Sequence, residues 1–183
     1  MWWIIIPIAI VVIIVIWCIS AYNRFITLKN KIEEAFSTMD VYLKKRYDLI
    51  PNLVETVKGY AKHESGTFEA VVKARNMAMS ATTTEERAQG DNMLTGTLKS
   101  LFALAESYPE LKANQNFMDL QKQLTAIEMD IVNARKYYNA VVREYNTLRE
   151  AFPSVIIAGM MSLEKKTLFE IAGEERQNVK VQF

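Results

Sequence analysis

The sequence predicts an all-α protein in which an N-terminal transmembrane helix is followed by an antiparallel up-and-down four-helix bundle and a short, strand-like C-terminal tail. Three observations predict it. Every charged side chain lies after Asn23, which leaves an uncharged run at the start of the chain. Beyond it, apolar residues recur at alternating spacings of three and four, the period of a buried helix stripe. Glycine and proline are few and fall at the ends of the segments this period marks out. The expected division is a transmembrane anchor over 1–23, a helical bundle over 24–153 and a C-terminal extension over 154–183.

The anchor reads WWIIIPIAIVVIIVIWCI from Trp2 to Ile19, close to the roughly 20 apolar residues that cross a hydrocarbon core of about 30 Å. Trp2 and Trp3 at one end, with Trp17 and Tyr22 near the other, suit the two interfacial aromatic belts. A cleaved signal peptide needs a basic n-region and a small-residue cleavage site, and Met-Trp-Trp offers no such start. Cys18 follows the bulky Trp17, so it reads as a small apolar residue of the span and not as a lipidation site. Arg24, Lys29 and Lys31 flank the span on one side only, which predicts that the chain beyond it faces the cytoplasm.

The next stripe, Phe25, Leu28, Ile32, Ala35, Met39 and Tyr42, continues without glycine or proline to Ile50, so span and helix can form one rod. Pro51 is expected to reset the chain as an early position of a second helix, with Leu53, Val57, Tyr60, Phe68 and Val71 as its stripe and Gly59 and Gly66 weakening it. Ala81-Thr82-Thr83-Thr84 reads as a turn, and Thr83 with Glu86 has the spacing of a capping box. That opens a helix whose Leu94, Leu98, Leu101, Ala105 and Tyr108 face the core and which Pro109 ends. Asn114 is the expected N-cap of the longest element, an unbroken heptad pattern from Phe117 through Leu120, Leu124, Ile127, Ile131, Ala134, Tyr138, Val141, Tyr145 and Leu148 to Phe152. Pro153 stops it. Past that point Val155 to Leu163 is apolar, Leu168, Phe169, Ile171 and Ala172 suggest a short amphipathic turn, and Val179, Val181 and Phe183 alternate with polar residues as in a strand.

Composition narrows the chemistry. The 22 Lys and Arg against 21 Asp and Glu give no basic face, so nucleic acid is not an expected partner. His63-Glu64 begins like a zinc-protease motif, but Thr67 stands where the second histidine must be. With one histidine and one cysteine, neither a zinc site, a Glu-x-x-His di-iron pair nor a nucleophilic triad can be assembled within the chain. No catalytic, cofactor-binding or metal residues are expected, and no cofactor.

The run Arg46-Tyr-Asp-Leu-Ile-Pro-Asn-Leu-Val-Glu-Thr-Val-Lys-Gly-Tyr-Ala-Lys-His-Glu64 resembles the signature of the LemA family of bacterial membrane proteins, as do Ala74-Arg75, Tyr108-Pro-Glu-Leu-Lys-Ala-Asn114, Phe117, Tyr138-Asn139, Tyr145-Asn146 and Phe152-Pro-Ser154. The resemblance runs from about Tyr22 to Phe169. It implies a helical bundle in the cytoplasm behind a single-pass anchor of the bacterial inner membrane, with a short outward N-terminus. It implies no established enzymatic activity.

The polar residues inside these motifs are Arg46, Asp48, Asn52, Glu64, Arg75, Glu128, Arg135, Asn139 and Asn146. They are either a recognition surface or pairs that fix the register of the bundle. Polar groups beside a heptad seam favour pairing. The expected function is a non-enzymatic scaffold that self-associates or recruits membrane or cytoplasmic proteins at the bilayer. A signalling or quality-control adaptor that binds a peptide in a helical groove is the alternative, and a metal-dependent hydrolase the third. The strand-like Val179, Val181 and Phe183 either pair with a neighbouring subunit of a homo-oligomer or form a frayed tail.

Overall fold

The structure, a computed structural model, describes residues 2–170. The expected inter-subunit strand, Val179, Val181 and Phe183, lies outside the described residues, as do Ile171 and Ala172. Among the described residues the fold is all-α with no strand, ordered as α1 (Trp2–Lys58), α2 (Ser65–Ser80), α3 (Thr84–Glu106), α4 (Pro109–Lys112), α5 (Gln115–Glu150) and α6 (Ser154–Met160).

The N-terminal stretch of α1 is apolar on every side and exposed from Trp2 to Ile16. It is the one helix among the described residues long and apolar enough to cross a membrane, with a mean hydropathy of 3.1 over its best window. Pro51 does not reset the chain, and α1 runs through it to Lys58. Proline removes one amide, and the group this strands is the carbonyl of residue 47, one turn earlier. Arg75 of α2 supplies the missing donor, its Nε reaching the Tyr47 carbonyl at 2.8 Å. The break falls instead at residues 59–64, so the expected Leu53-to-Val71 stripe is divided between two helices, with Tyr60 in the connection.

Capping follows the local chemistry. The Thr83 hydroxyl accepts from the Glu86 amide at 3.1 Å, and Glu86 accepts from the amides of Thr82 and Thr83 at 2.9 and 3.2 Å. These amide donors hold the Glu86 carboxyl below its ordinary value. Asn114 Oδ1 accepts from the Phe117 amide at 3.0 Å and starts α5. One expectation at the other end fails. Because α5 ends at Glu150, Phe152 has left the helix whose stripe it was expected to complete, and it is 83% exposed. The expected turn over Leu168, Phe169, Ile171 and Ala172 lies partly outside the described residues, and residues 163–170 run without helix. The carbonyls of Leu163, Glu164, Lys166 and Thr167 are taken by side chains of α5.

The chain divides into two compact units, one made of Met1–Ser37 and Lys136–Leu168, the other of Thr38–Arg135 with residues 169–170 of the described chain. In the first, Phe25 meets Tyr145 edge-on at 6.2 Å, Phe36 meets Tyr138 at 5.8 Å, and Arg24 pairs with Glu144 at 3.2 Å, which sets α1 and α5 antiparallel there. In the second, Met39, Leu43, Ile50, Leu53 and Val57 of α1 are buried, as are Phe68, Val71 and Ala74 of α2, Leu94, Leu98 and Leu101 of α3, and Leu124 and Ile131 of α5. Here α2 and α3 approach so closely at Gly90 that a Cβ on it would lie 2.6 Å from the Ala78 Cα.

The Pro51–Arg75 relation predicts a rescue. Arg75→Met leaves the Tyr47 carbonyl without its donor and should cost about 1 to 3 kcal/mol, measured by thermal melting of the full chain in detergent. Adding Pro51→Ala restores an amide one turn along the helix and should recover most of that loss. A double variant as unstable as Arg75→Met alone would contradict the donor role of Arg75.

Candidate functional site

The buried stripe of α1 passes through Met39, Leu43, Arg46, Ile50 and Leu53, and so carries a guanidinium into the core of the second unit. A buried cation costs several kcal/mol unless its donors are met. Arg46 meets those of its two terminal nitrogens. One terminal nitrogen donates to Asp91 Oδ1 and, at 3.3 Å, to the Asp91 carbonyl, while the other donates to Glu128 Oε1 at 2.7 Å and to Thr95 Oγ1 at 3.1 Å. The second oxygen of Asp91 accepts from Arg135 Nη2 at 2.6 Å, and the Arg135 guanidinium lies 5.1 Å from the centre of the Phe169 ring.

The side chains of Arg46 and Asp91 have no exposed surface, while that of Glu128 is 37% exposed. Burial pushes the Asp91 carboxyl up from its ordinary value, and the charges of Arg46 and Arg135 pull against that shift. Beside the cluster, burial drives the Tyr47 phenol up to about 12, with the charge of Asp91 adding to the effect. The Tyr47 hydroxyl and the Nε atoms of Arg46 and Arg135 are buried without a hydrogen-bond partner. Chemically the arrangement is a lock. Guanidinium groups keep their protons, both Asp91 oxygens are engaged, and the bonds join α1, α3 and α5 within one unit.

A second polar constellation lies in the first unit, where α5 holds the main chain of residues 163–167. Arg149 Nε donates to the Leu163 carbonyl at 2.8 Å, Tyr145 to that of Glu164 at 3.1 Å, and Tyr138 to that of Thr167 at 3.0 Å. Asn146 grips Lys166 on both main-chain groups, donating to its carbonyl at 2.8 Å and accepting from its amide at 2.9 Å. Four of the five carbonyls of this strap, from Leu163 to Thr167, are thus taken by side chains of α5.

The motif residues do not share one surface. Arg46, Glu128 and Arg135 meet in the ionic cluster, Asn146 holds the strap, and Arg75 serves the Tyr47 carbonyl. Asn139, on the same helix as Asn146, is half-buried. Asp48 and Asn52 are exposed, as is His63, and Glu64 occupies the N-cap position of α2 without a side-chain capping bond. Sequence reasoning missed Asp91, the centre of the cluster. Its signal was present, because Asp91 precedes Leu94, Leu98, Leu101 and Ala105 on the same three-four spacing and is a carboxylate in core phase.

Tyr47 gives a pH test. An acid whose folded value lies above its ordinary one adds stability that is present below pH 10.0 and lost as pH rises through about 12. Tyr47→Phe should remove that alkaline loss and, since the hydroxyl is buried without a partner, leave stability at neutral pH unchanged or slightly higher. Urea unfolding at a series of pH values reads both effects. For the strap, Asn146→Ala removes two main-chain bonds and should cost about 1 to 3 kcal/mol while raising amide exchange at Lys166.

Protein LemA of Metamycoplasma hominis is 22% identical over 161 residues, covering 86% of this chain and 72% of that protein. Magnetosome proteins MamQ 1 and MamQ 2 of Paramagnetospirillum magneticum are each 21% identical over 175 residues, and the match spans 81% of this chain and 64% of theirs. The LemA family pattern matches residues 35–183, which take in the whole ionic cluster and every α5 residue that holds the strap. The chain belongs to the LemA family.

Proposed function

We propose that this protein is a non-enzymatic scaffold of the bacterial inner membrane, anchored once by the start of α1 and carrying its helical bundle in the cytoplasm. The observation that carries the reading is the contrast between its surfaces and its interior. Its buried ionic groups and the α5 ladder are committed to partners within the chain, whereas the apolar run of α1 is exposed from Trp2 to Ile16. Met77, Met79, Met93, Met118 and Met129 are exposed as well, and methionine suits surfaces that accept varied partners. A single-pass anchor concentrates copies on one surface, where weak lateral contacts become effective. In this reading the helices complete an antiparallel up-and-down bundle, and self-association builds a homo-oligomer. Arg24, Lys29 and Lys31 favour the cytoplasmic orientation.

One observation favours the alternative, an adaptor that takes a peptide. A groove of about 930 Å³ runs along α2, with Phe68, Val72 and Met77 among its lining and Lys58, Lys62 and Lys73 beside them. That combination suits an acidic, amphipathic segment.

The scaffold reading predicts a particle several times the mass of one chain in mild detergent, measured by light scattering. A monodisperse monomer that binds an acidic helical peptide through the α2 groove would favour the adaptor instead. A reporter fused after Phe183 should behave as cytoplasmic, and periplasmic activity would overturn the orientation.

A further inference from the structure

We infer that α6 is a second membrane contact, its apolar face lying in the boundary between headgroups and acyl chains of the bilayer that α1 crosses. This rests on the anchoring role proposed for α1. The level of α6 in the first unit follows from two contacts, since the Phe25–Tyr145 ring pair and the Arg24–Glu144 ion pair fix α1 against α5. From Phe25 back to Ser20 is five helical residues, as is Tyr145 on to Glu150, and each path rises about 7.5 Å in the same direction. The end of α5 is therefore level with Ser20, immediately after the apolar run closes at Ile19. The chain is held there again after α6, because Arg149 Nε binds the Leu163 carbonyl at 2.8 Å. With both its ends tied to the last turn of α5, α6 stays at the level where the span meets the bilayer surface.

The side chains of this segment are sorted accordingly. Ile157 and Ala158 are buried. On the other side Phe152 is 83% exposed, Val155 42%, Ile156 54% and Met160 79%, an apolar stripe at helical spacing. Soluble surfaces seldom leave large apolar groups together in water. At the foot of a transmembrane helix such a stripe extends the apolar surface of the span sideways along the interface. A helix this short binds lipid weakly alone, but α1 already holds it at the surface, so little further entropy is lost when it inserts.

The test uses the full chain in lipid vesicles, with Cys18→Ser as background and single-site substitutions labelled with an environment-sensitive fluorophore. Ile156→Cys and Met160→Cys report on α6, Ile10→Cys on the span, and Thr167→Cys on the strap, further from the bilayer. The inference predicts blue-shifted emission at positions 156 and 160 and loss of most of their intensity with shallow nitroxide-labelled lipid, at any protein-to-lipid ratio. Position 167 should be neither shifted nor quenched. If 156 and 160 behave like 167 while position 10 is quenched by deep nitroxide lipid, the span stands and the α6 inference falls. It falls equally if 156 and 160 are shielded without lipid quenching and lose the shielding on dilution into excess lipid, because a second copy then covers the face. An unquenched probe at position 10 defeats the anchoring reading itself.

Discussion

A carboxylate with no exposed surface is tolerable only where both of its oxygens are met by strong donors, and Asp91 meets this condition between two arginines from different helices. The requirement runs in both directions. Arg46 occupies a core position of α1 because α3 places Asp91 opposite it, and Arg135 can enter from α5 because one Asp91 oxygen remains for it. Apolar stripes alone let helices slide or rotate at modest cost, since leucine and isoleucine tolerate many partners. An ion pair with donors at defined angles does not. The cluster therefore selects one register among α1, α3 and α5 in its unit, whether or not it adds net stability.

The same demand, applied to main-chain groups, explains the other polar residues. Proline at position 51 removes an amide from a helix that continues through it, and Arg75 supplies the donor from a neighbouring helix. Past α6 no strand among the described residues pairs with the strap, and side chains of α5 take the place of a strand edge. Asn146 binds both main-chain groups of Lys166, as a paired residue in a sheet would. The bond partners belong to the strap's backbone, so Glu164 and Lys165 remain exposed on its outer side.

Where local chemistry decided the outcome, the sequence was legible. The uncharged N-terminal run, the Thr83–Glu86 capping box and the Asn114 cap each depend on residues within a short stretch of chain, and each is found as expected. Pro51 was misread because its effect depends on a donor 24 positions along the chain, which no local rule supplies. Phe152 satisfied the heptad phase, but the helix that would have buried it ends at Glu150. At the candidate site, Arg46 and Arg135 stood out within motifs. Asp91 was hidden because a lone aspartate among leucines is recognised only when its phase is followed, and the strap was hidden because hydrogen bonds to a backbone leave no pattern in the side chains of the segment that is bound.

If Arg46, Asp91 and Arg135 act as one unit that sets register, their contributions to stability must be coupled. Unfolding of the full chain in detergent, compared for Asp91→Leu, Arg46→Met, Arg135→Met and the triple variant, tests this most directly. Asp91→Leu alone leaves Arg135 and one terminal nitrogen of Arg46 without their anion in the core and should cost about 3 to 5 kcal/mol. The triple variant removes every charge that needs Asp91 and should be markedly more stable than Asp91→Leu alone. Single losses that simply add in the triple variant would contradict the coupling, because three groups with independent contributions are not a lock.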